Sequence, residues 1–404
     1  MNIDNYVEKL IDGSVKTPAY IFNCIELKEH VDIIKDIAGK NIGLCYAMKA
    51  NPLLVKVMDK LVGKVEVCSP GELEICKKSN ISPQHIIFSG VNKTSEDIEH
   101  AFLYGVGVIT IESYKHFVLI REYCINHKCE ADVYLRLSDG MQFGLDEETL
   151  EKIVKDRENY EFIHIKGIHY FSGTQKKNIQ VNIDEIDRLT LYIKKLKDQY
   201  GLHIECLEYG VGLYVQYFMN ESFDNRYSNL KEIVQYIAEL NISYKIVLEV
   251  GRYFVAGCGT YVTKVDDVKS INEQYFCIVD GGIHHLNYYG QNYAMRTPII
   301  KKINYKMLGL PKADNIDYNN KKWNVCGSLC TYADILARNV LFDSLNIGDV
   351  LVFENTGAYS ITESPSLFLS RNTPYVYMND EKMGLKIVRN EIITAHLNYV
   401  LPTT

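Results

Sequence analysis

Short apolar runs alternate with longer amphipathic stretches from about residue 40 to residue 250. Eight of these runs have the length and composition of buried strands. They are 42–48, 64–69, 85–90, 106–113, 130–138, 163–171, 204–210 and 244–250. The stretches between them, such as 51–62 and 183–201, carry aliphatic residues at helical spacing and charges on the opposite side. Eight βα units over roughly 210 residues predict an α/β fold, a closed (β/α)8 TIM barrel, for which about 250 residues is typical.

The pattern changes after Arg252. The apolar runs 259–265, 275–282, 323–327 and 349–355 follow one another without long helices between them, which is typical of a mostly antiparallel β domain. Segment 17–23 resembles one extra strand that could join this domain. We therefore predict a barrel over 26–250 and a β domain, built as a sandwich or small barrel, from 1–25 and 251–404.

Composition limits the possible partners. The 404 residues carry a formal charge of -7 and contain no block of Lys and Arg, which excludes the clustered basic face of a nucleic-acid-binding protein. No leader pattern is present, and no apolar run approaches the ~18 residues of a membrane span, so a cytoplasmic protein is expected. The eleven cysteines show no zinc-binding spacing, and the pair His284–His285 has no third ligand at metal spacing, so no metal site is predicted.

In such barrels the chemistry gathers at the carboxyl ends of the strands. Lys49 follows the first run. A lysine there is usually solvated, but desolvation at a barrel mouth lowers the pKa of an amine and makes it nucleophilic toward an aldehyde. Glu249 ends the eighth run, where a carboxylate could keep a pyridine nitrogen protonated. The alternative for Glu249 is a surface ion pair with Arg252.

Glycines follow the last two runs. Gly210 and Gly212 leave backbone N–H groups free to approach an oxyanion such as a phosphate, although a Gly-x-Gly turn is common in any protein. Gly251 and Arg252 could add a second set of donors to the same anion.

Taken together and in order, these elements resemble the fold type III, or alanine-racemase-like, pyridoxal-phosphate (PLP) decarboxylases, over nearly the whole chain. YAMKAN (46–51) resembles the cofactor-lysine motif, EVGR (249–252) the Glu-Pro-Gly-Arg motif, and GVG (210–212) the glycine-rich phosphate loop. VDGG (279–282), CGSLCTYAD (326–334) and GAY (357–359) resemble three further signatures of the family.

The resemblance implies a role for each matching residue. Lys49 would carry PLP as a Schiff base, Glu249 would pair with the pyridine nitrogen, and Arg136 would face the phenolic oxygen. The phosphate would be held by Gly210, Gly212, Gly251, Arg252 and Tyr359. In the family the site lies at a homodimer interface, so Cys330, Asp334 and Asp280 would come from the partner subunit. Cys330 would return a proton to the decarboxylated carbon; the other interpretation of Cys330 is a small buried apolar residue.

Two positions depart from the family. Phe171 stands where the decarboxylases usually stack a histidine on the pyridine ring. Its phenyl ring can still stack but cannot donate a hydrogen bond. His169 points to the same side of the strand, and could assist the cofactor or be a core histidine. Thr331 stands where ornithine- and diaminopimelate-type enzymes place an acid, and offers little attraction for a distal ammonium.

The Cys-Thr-x-x-Asp pattern of 330–334, with DGGIHH (280–285) and SGTQ (172–175), looks more like the branch associated with siderophore, antibiotic and polysaccharide pathways, of which butirosin biosynthesis is an example. The resemblance thus implies decarboxylation of an amino acid or an amino-acid conjugate, with the substrate bound to a carrier protein in some members. Tyr359 and Thr331 would contact this substrate.

Four alternatives stay open: diaminopimelate decarboxylation in lysine biosynthesis, an amino-acid racemase on the same fold, a non-catalytic PLP carrier, and an unrelated barrel using Glu249 and Asp280 on a sugar. The β domain with Cys330 and Tyr359 argues against a carrier, which needs no acid supplied by a second domain.

Overall fold

The computed structural model describes residues 8–10, 12–221, 226–291, 294–304 and 319–400. The chain divides into two compact units. One unit comprises His30–Val215 and Asp224–Phe254, and the other comprises Met1–Glu29, Gln216–Phe223 and Val255–Thr404.

The first unit contains a closed barrel of eight parallel strands in sequence order. The strands are β2 (Ile42–Ala47), β3 (Val65–Val67), β4 (Ile86–Phe88), β5 (Val108–Ile111), β6 (Ala131–Arg136), β7 (Ile163–Phe171), β8 (Cys206–Gly210) and β9 (Lys245–Val250). β2 pairs with β9, which closes the ring. All eight strands coincide with the predicted apolar runs, and the TIM-barrel prediction is confirmed.

Helices connect these strands, as the amphipathic stretches predict. They are α1 (Cys24–Ala38), α2 (Val55–Val62), α3 (Pro70–Lys78), α4 (Ser95–Tyr104), α5 (Tyr114–His127), α6 (Glu147–Lys155), α7 (Ile179–Tyr200), α8 (Ser228–Glu239) and the short α9 (Arg252–Val255). The local sequence fixes where several of these helices begin. Ser69 accepts a hydrogen bond from the N–H of Glu72 ahead of α3, and Thr94 and Asp97 form a capping box at α4, so the free N–H groups of the first turn are satisfied.

The barrel strands are buried on both faces, because helices cover the outside and side chains fill the inside. Cys45, Ile87, Tyr134 and Cys206 form one apolar cluster of buried residues. Polar side chains interrupt the apolar strands at Glu66, His169, Glu208 and Glu249, all of them buried. Since burying a charge is costly unless it is paired, these four positions mark the candidate site.

The second unit contains a sheet of nine described strands. They are β1 (Ala19–Asn23), β10 (Gly259–Ile271), β11 (Gln274–Val279), β12 (Ile300–Ile303), β13 (Lys321–Cys326), β14 (Ile335–Phe342), β15 (Val350–Phe353), β16 (Tyr375–Asp380) and β17 (Gly384–Arg389). Antiparallel pairing dominates, with parallel pairs at β1–β16 and β11–β13. β1 joins this sheet beside β10, as predicted for segment 17–23.

One apolar cluster of this sheet includes Ala19 and Ile21 of β1, Val262 of β10, and Val350 and Val352 of β15. Each valine or isoleucine side chain of this cluster contributes about 1.5–3 kcal/mol when fully buried. The N-terminal strand is therefore an integral part of this unit's core. Among the described residues, no helix combines the length and the apolar character needed to cross a membrane.

Candidate active site

Lys49 lies in a single 3-10 turn, Met48–Ala50, directly after β2. The turn is fixed from both sides. Asn51 accepts a hydrogen bond from the N–H of Leu53, and the Tyr46 hydroxyl donates to the carbonyl of Asn51 at 2.8 Å. The lysine therefore leaves the first barrel strand from a rigid backbone at the carboxyl end of the barrel.

Two buried carboxylates hold the Lys49 amine. Its Nζ atom lies 2.8 Å from Oε2 of Glu66 and 3.1 Å from Oε1 of Glu249, and 3.7 Å from the Cys68 sulfur. The lysine side chain remains 35% exposed, whereas those of Glu66 and Glu249 are 1% and 4% exposed. The amine is thus accessible from outside while its counter-ions are not.

His169 lies behind Glu249, with Nε2 3.1 Å from Oε2 of the carboxylate. Burial would lower the pKa of His169, but the Glu249 and Glu208 carboxylates raise it above its ordinary value. Burial would likewise raise the pKa of Glu249, yet Lys49 and His169 hold it well below its ordinary value. Glu249 is therefore a fixed negative charge that His169 orients. Its carboxylate can accept a hydrogen bond from a protonated nitrogen.

Glu208 lies beside His169 in the register of β8 with β7 and is fully buried. Its carboxylate lies next to the Cys45 thiol, and Nδ1 of His169 has no hydrogen-bond partner within the described residues. Burial, opposed by His169, raises the pKa of Glu208 to about 7. Burial and the adjacent Glu249 also raise the pKa of Glu66, against the effect of Lys49. Of the three carboxyl groups Glu66, Glu208 and Glu249, Glu249 is thus the one stabilised as an anion.

This burial predicts a pH-dependent stability. The folded chain keeps the Glu208 proton at pH values where the unfolded chain has released it, so this contribution is complete below about pH 4.5 and lost as the pH rises through about 7. A rise in pKa from 4.5 to about 7 corresponds to roughly 3 kcal/mol. Between pH 5 and pH 8, Glu208→Gln should therefore gain stability relative to wild type by up to that amount, measured by urea unfolding.

Glu205→Gln, at an exposed ion pair with Lys166, is the control and should show no such gain. A constant difference between the Glu208→Gln and wild-type stabilities across this range would show that Glu208 is ionised throughout.

Phe171 ends β7 close to the lysine, with its ring centroid 5.8 Å from Lys49 Nζ. It packs against Gly210, where an added Cβ would come within 2.3 Å of the ring. Glycine at position 210 is therefore required by the phenyl ring in addition to any anion contact.

Hydrogen bonds hold the loop 172–176, which follows β7. The Ser172 hydroxyl, the Lys176 amine and the Tyr209 hydroxyl all donate to the Glu185 carboxylate of α7, at 2.5, 2.6 and 2.6 Å. This single acid fixes the loop 172–176 against the end of β8.

Gly212, Gly173 and Arg252 meet at this loop. Gly212 has φ +63°, and a Cβ there would come 2.3 Å from the Gly173 carbonyl, so only glycine fits. Arg252 Nε lies 3.4 Å from the Thr174 hydroxyl. A Cβ on Gly251 would press against Ala47 and Ala50 at 3.2–3.3 Å. The predicted anion-binding glycines and Arg252 thus frame one loop of the barrel.

Arg136 ends β6 and is buried. Its guanidinium donates to Glu112 at 2.8 Å, and the Glu112 carboxylate also accepts the N–H of Gly90 at 3.0 Å. The guanidinium stacks on Phe143 with 5.0 Å to the ring centroid. Arg136 is therefore held at the barrel end by a buried acid and an aromatic ring.

The residues predicted to act from a partner subunit lie in the second unit. Cys330 is the exposed one among the eleven cysteines, so a small buried apolar role does not apply to it. Thr331 is half-buried, and its hydroxyl accepts the N–H of Ala333 at 3.3 Å. Asp334 is buried and accepts backbone N–H groups of Ile283 and Leu329 at 2.8 and 2.7 Å.

Asp280 and Tyr359 are also in the second unit. Asp280 accepts hydrogen bonds from the Thr17 and Thr263 hydroxyls, both at 2.6 Å. Tyr359 is half-buried and has φ +64°, a left-handed conformation that is strained for a large side chain and is found preferentially at functional positions. Substrate and phosphate roles for these residues stay predictions.

Sequence reasoning missed four acids: Glu66, Glu208, Glu112 and Glu185. Glu66 stands alone between Val65 and Val67, and Glu208 between Leu207 and Tyr209, so each looks like the polar side of an alternating strand. The available signal was the strand type, because a strand of a parallel barrel has no solvated face and a lone acid in it must be paired or protonated.

Glu66, His169 and Glu249 offer three ligand atoms within 4.8 Å of one another. The Lys49 ammonium already lies between the two carboxylates, at hydrogen-bond distance from both. The described geometry of this cluster is therefore that of a lysine held by two acids.

Comparison with known proteins shows the family to which this chain belongs. The family model described as pyridoxal-dependent decarboxylase, pyridoxal binding domain, matches residues 26–256, more than half of the chain. The chain belongs to the pyridoxal-dependent decarboxylases, and it is a PLP-dependent enzyme acting on an amino acid or an amino-acid conjugate.

Curated relatives cover almost the full length. The chain is 28% identical over 395 residues to the L-glutamyl-[BtrI acyl-carrier protein] decarboxylase of Niallia circulans, covering 93% of this chain and 91% of the relative. It is 27% identical over 408 residues to the 2-[(L-alanin-3-ylcarbamoyl)methyl]-2-hydroxybutanedioate decarboxylase of Staphylococcus aureus, covering 93% and 98%.

Solved structures share the fold. The diaminopimelate decarboxylase of M. jannaschii in complex with L-lysine superposes with a TM-score of 0.84 at 23% identity, covering 98% of this chain and 94% of that chain. The same enzyme from Helicobacter pylori gives a TM-score of 0.82 at 22% identity, covering 96% and 98%.

The residues of the barrel fit PLP. An accessible lysine suits its aldehyde, the anionic Glu249 suits a protonated pyridine nitrogen, and a glycine-lined loop with Arg252 suits a phosphate. The half-buried Phe171 offers an aromatic face to a planar ring.

Proposed function

We propose that this chain removes the α-carboxylate of an amino-acid conjugate, with PLP attached to Lys49 and with Cys330 as the proton donor. The observation that supports this most strongly is the Lys49 amine, held at the barrel end between Glu66 and Glu249 with His169 behind the latter. An amine so placed is accessible, oriented and next to the one acid that is stabilised as an anion.

Each residue contributes a defined task in this proposal. Glu249 holds the proton-bearing pyridine nitrogen, and His169 keeps the carboxylate in position. Phe171 lies against the ring, and Arg136, locked by Glu112, faces its phenolic oxygen. Gly210, Gly212, Gly251, Arg252 and Tyr359 bind the phosphate.

When bound, PLP supplies an electron sink for the electron pair left on the α-carbon as the carboxylate departs. The protein must then deliver one proton to that carbon. Cys330 is an exposed thiol on the loop between β13 and β14, and a thiol near the reacting carbon can act as a general acid. In a homodimer with shared active sites, this loop would serve the barrel of the partner subunit.

The substrate is proposed to be a conjugate belonging to specialised metabolism. The Niallia relative acts on a glutamyl group carried by an acyl-carrier protein, and the Staphylococcus relative on an alaninyl amide of a hydroxybutanedioate. Thr331 supports a similar preference here, because a neutral hydroxyl gives little attraction for the distal ammonium of diaminopimelate. Presentation by a carrier protein is included in the proposal.

Borohydride reduction tests the attachment. It should fix PLP to one lysine, and peptide mass spectrometry should find the label on Lys49. Lys93 is a matched control within the same barrel, since it is fully buried and donates to the carbonyls of Gly90 and Thr110. It should stay unlabelled.

Carbon dioxide release from a panel of conjugates, meso-diaminopimelate and simple amino acids tests the reaction. Label on a residue other than Lys49 would overturn the lysine assignment. Faster turnover of meso-diaminopimelate than of every conjugate would overturn the substrate proposal, and racemisation without carbon dioxide release would favour the racemase.

A further inference from the structure

A second lysine, Lys93, lies at the carboxyl end of the barrel apart from Lys49. It follows β4 and is fully buried, and its Nζ donates to the carbonyls of Gly90 and Thr110 at 2.7 and 2.9 Å. Neutral side chains can satisfy two carbonyls, whereas burying an ammonium is costly unless an anion compensates its charge. Two hydrogen bonds to carbonyls therefore do not account for a charged residue at this position.

A chain of hydrogen bonds links Lys93 to Arg136. The Gly90 carbonyl accepts from Lys93, and the Gly90 N–H donates to Oε1 of Glu112 at 3.0 Å. The other oxygen of Glu112 accepts from the Arg136 guanidinium at 2.8 Å. These groups follow or end three neighbouring strands of the barrel, β4, β5 and β6. A displacement at Lys93 therefore reaches Arg136 through one backbone segment and one carboxylate.

Gly90 places this chain of hydrogen bonds beside Lys49. Its φ is +100°, and an added Cβ would come 2.2 Å from the Cys68 carbonyl, so only glycine fits. The sulfur of Cys68 in turn lies 3.7 Å from the Lys49 amine. The segment that Lys93 fixes is thus packed against the strand end next to Lys49.

Two cations share one carboxylate in this cluster. Among the described residues, no carboxylate lies at ion-pairing distance from Lys93, and Glu112 is the one at that distance from Arg136. His116 is also close, with Nε2 3.2 Å from the backbone nitrogen of Lys93. Burial and the Lys93 charge lower the pKa of His116 to about 4, so this ring adds no charge at neutral pH.

Lys93 keeps its proton at neutral pH. Burial lowers the pKa of its amine to about 8. The neighbouring groups that act on this pKa are Glu112, Cys68 and Glu66, which raise it, and Arg136, which lowers it. Glu66 is itself bound to the Lys49 amine at 2.8 Å. Because an amine with this pKa is mainly protonated at pH 7, the cluster carries one positive charge more than Glu112 compensates.

The Arg136 guanidinium is the part of this cluster that a ligand can reach. The Arg136 side chain is 10% exposed, whereas that of Glu112 is 1% exposed and Lys93 is fully buried. A guanidinium bound to one carboxylate oxygen keeps further N–H donors for another anionic oxygen. The charge that Lys93 adds can therefore act on a ligand only through Arg136.

We infer that Lys93 is a positioning residue for the phenolic oxygen of PLP. It fixes the Gly90–Glu112–Arg136 chain of hydrogen bonds, and it leaves the cluster with the positive charge that an anionic phenolic oxygen compensates. The inference rests on the proposed contact of Arg136 with this oxygen, and it adds a fully buried residue that acts through Arg136 and not on the reacting atoms.

Two cofactor analogues without an aldehyde test this inference on the cofactor-free protein. Pyridoxine 5'-phosphate carries the phenolic oxygen, and its 3-deoxy analogue lacks it. In calorimetry, wild type should bind the first at least about tenfold more tightly, the value of one charge-assisted hydrogen bond. Lys93→Met and Arg136→Gln should each reduce this preference to within about threefold, and should keep the affinity for the 3-deoxy analogue within about threefold of wild type.

Lys64→Met provides the matched control. Lys64 also donates to a backbone carbonyl, that of Gln84 at 3.0 Å, but it precedes β3 at the amino end of the barrel. This variant should keep the wild-type preference. An equal loss of affinity for both analogues in Lys93→Met would reduce Lys93 to a structural role, and an unchanged preference would also overturn the inference. If Lys93→Met does not fold, Lys93→Gln removes the charge but keeps an N–H donor, and the same outcomes apply.

The absorbance of lysine-bound PLP provides a second readout. A cation beside the phenolic oxygen favours its anionic form, so the bound cofactor loses its proton at a lower pH. Lys93→Met should therefore raise the pH of the absorbance change by about one unit, the equivalent of one charge-assisted hydrogen bond, and Lys64→Met should not.

These measurements separate the role of Lys93 from the proposed reaction. If no substrate releases carbon dioxide while the analogue preference and the absorbance both depend on Lys93, the proposed decarboxylation fails and the role of Lys93 stands. If carbon dioxide is released and neither the preference nor the absorbance depends on Lys93, the role of Lys93 alone fails.

Discussion

Lys49→Ala should lower the rate of decarboxylation by at least about 10³-fold and remove the visible absorbance of lysine-bound PLP. The expected loss is large because Lys49 has two tasks that no neighbour can take over. It anchors the cofactor aldehyde, and in the cofactor-free protein its ammonium compensates the buried anion of Glu249 and donates to Glu66. Stopped-flow absorbance with PLP and single-turnover carbon dioxide release measure the two effects.

Lys49→Arg separates the two tasks. A guanidinium keeps the positive charge between the two acids but is a poor nucleophile toward an aldehyde. This variant should retain the folded stability of wild type and lose the absorbance band and the activity. Activity of Lys49→Arg within about tenfold of wild type would contradict covalent attachment at this residue.

Glu249→Gln is expected to reduce kcat by about 10²-fold while PLP remains bound. The amide preserves the shape of the side chain but cannot hold a proton on the pyridine nitrogen, which weakens the electron sink during loss of the carboxylate. Because Lys49 and His169 keep the pKa of Glu249 well below its ordinary value, the defect should be the same throughout the neutral range.

Glu239→Gln, an exposed position of α8, provides the control for this substitution and should leave kcat unchanged. A Glu249→Gln enzyme with kcat within about threefold of wild type would remove the pyridine role from Glu249.

The barrel could be predicted from the sequence because its strands are continuous apolar runs of strand length. Each run is followed by a stretch whose apolar residues recur at helical spacing. The lysine at the end of the first run and the acid at the end of the eighth were recognisable for the same reason, since both interrupt the apolar pattern at strand ends. The structure brings them together with His169, whose interaction with Glu249 sequence reasoning left open.

Other parts of the site depend on contacts between segments far apart in the chain. Glu112 locks Arg136 from a neighbouring strand end, and Glu185 reaches the loop after β7 from a helix. The orientation of Asp334 depends on glycine backbone at Gly282 and Gly327. No local pattern predicts which acid will meet which donor.

The three hydrogen bonds to Glu185 have a consequence for how PLP binds. Ser172, Lys176 and Tyr209 already converge on this acid, so the loop that we propose faces the phosphate is ordered by the protein's own side chains. Cofactor capture then loses little conformational entropy, and its affinity depends mainly on contacts made to a preorganised surface. A chain built this way can release and regain PLP without refolding this loop.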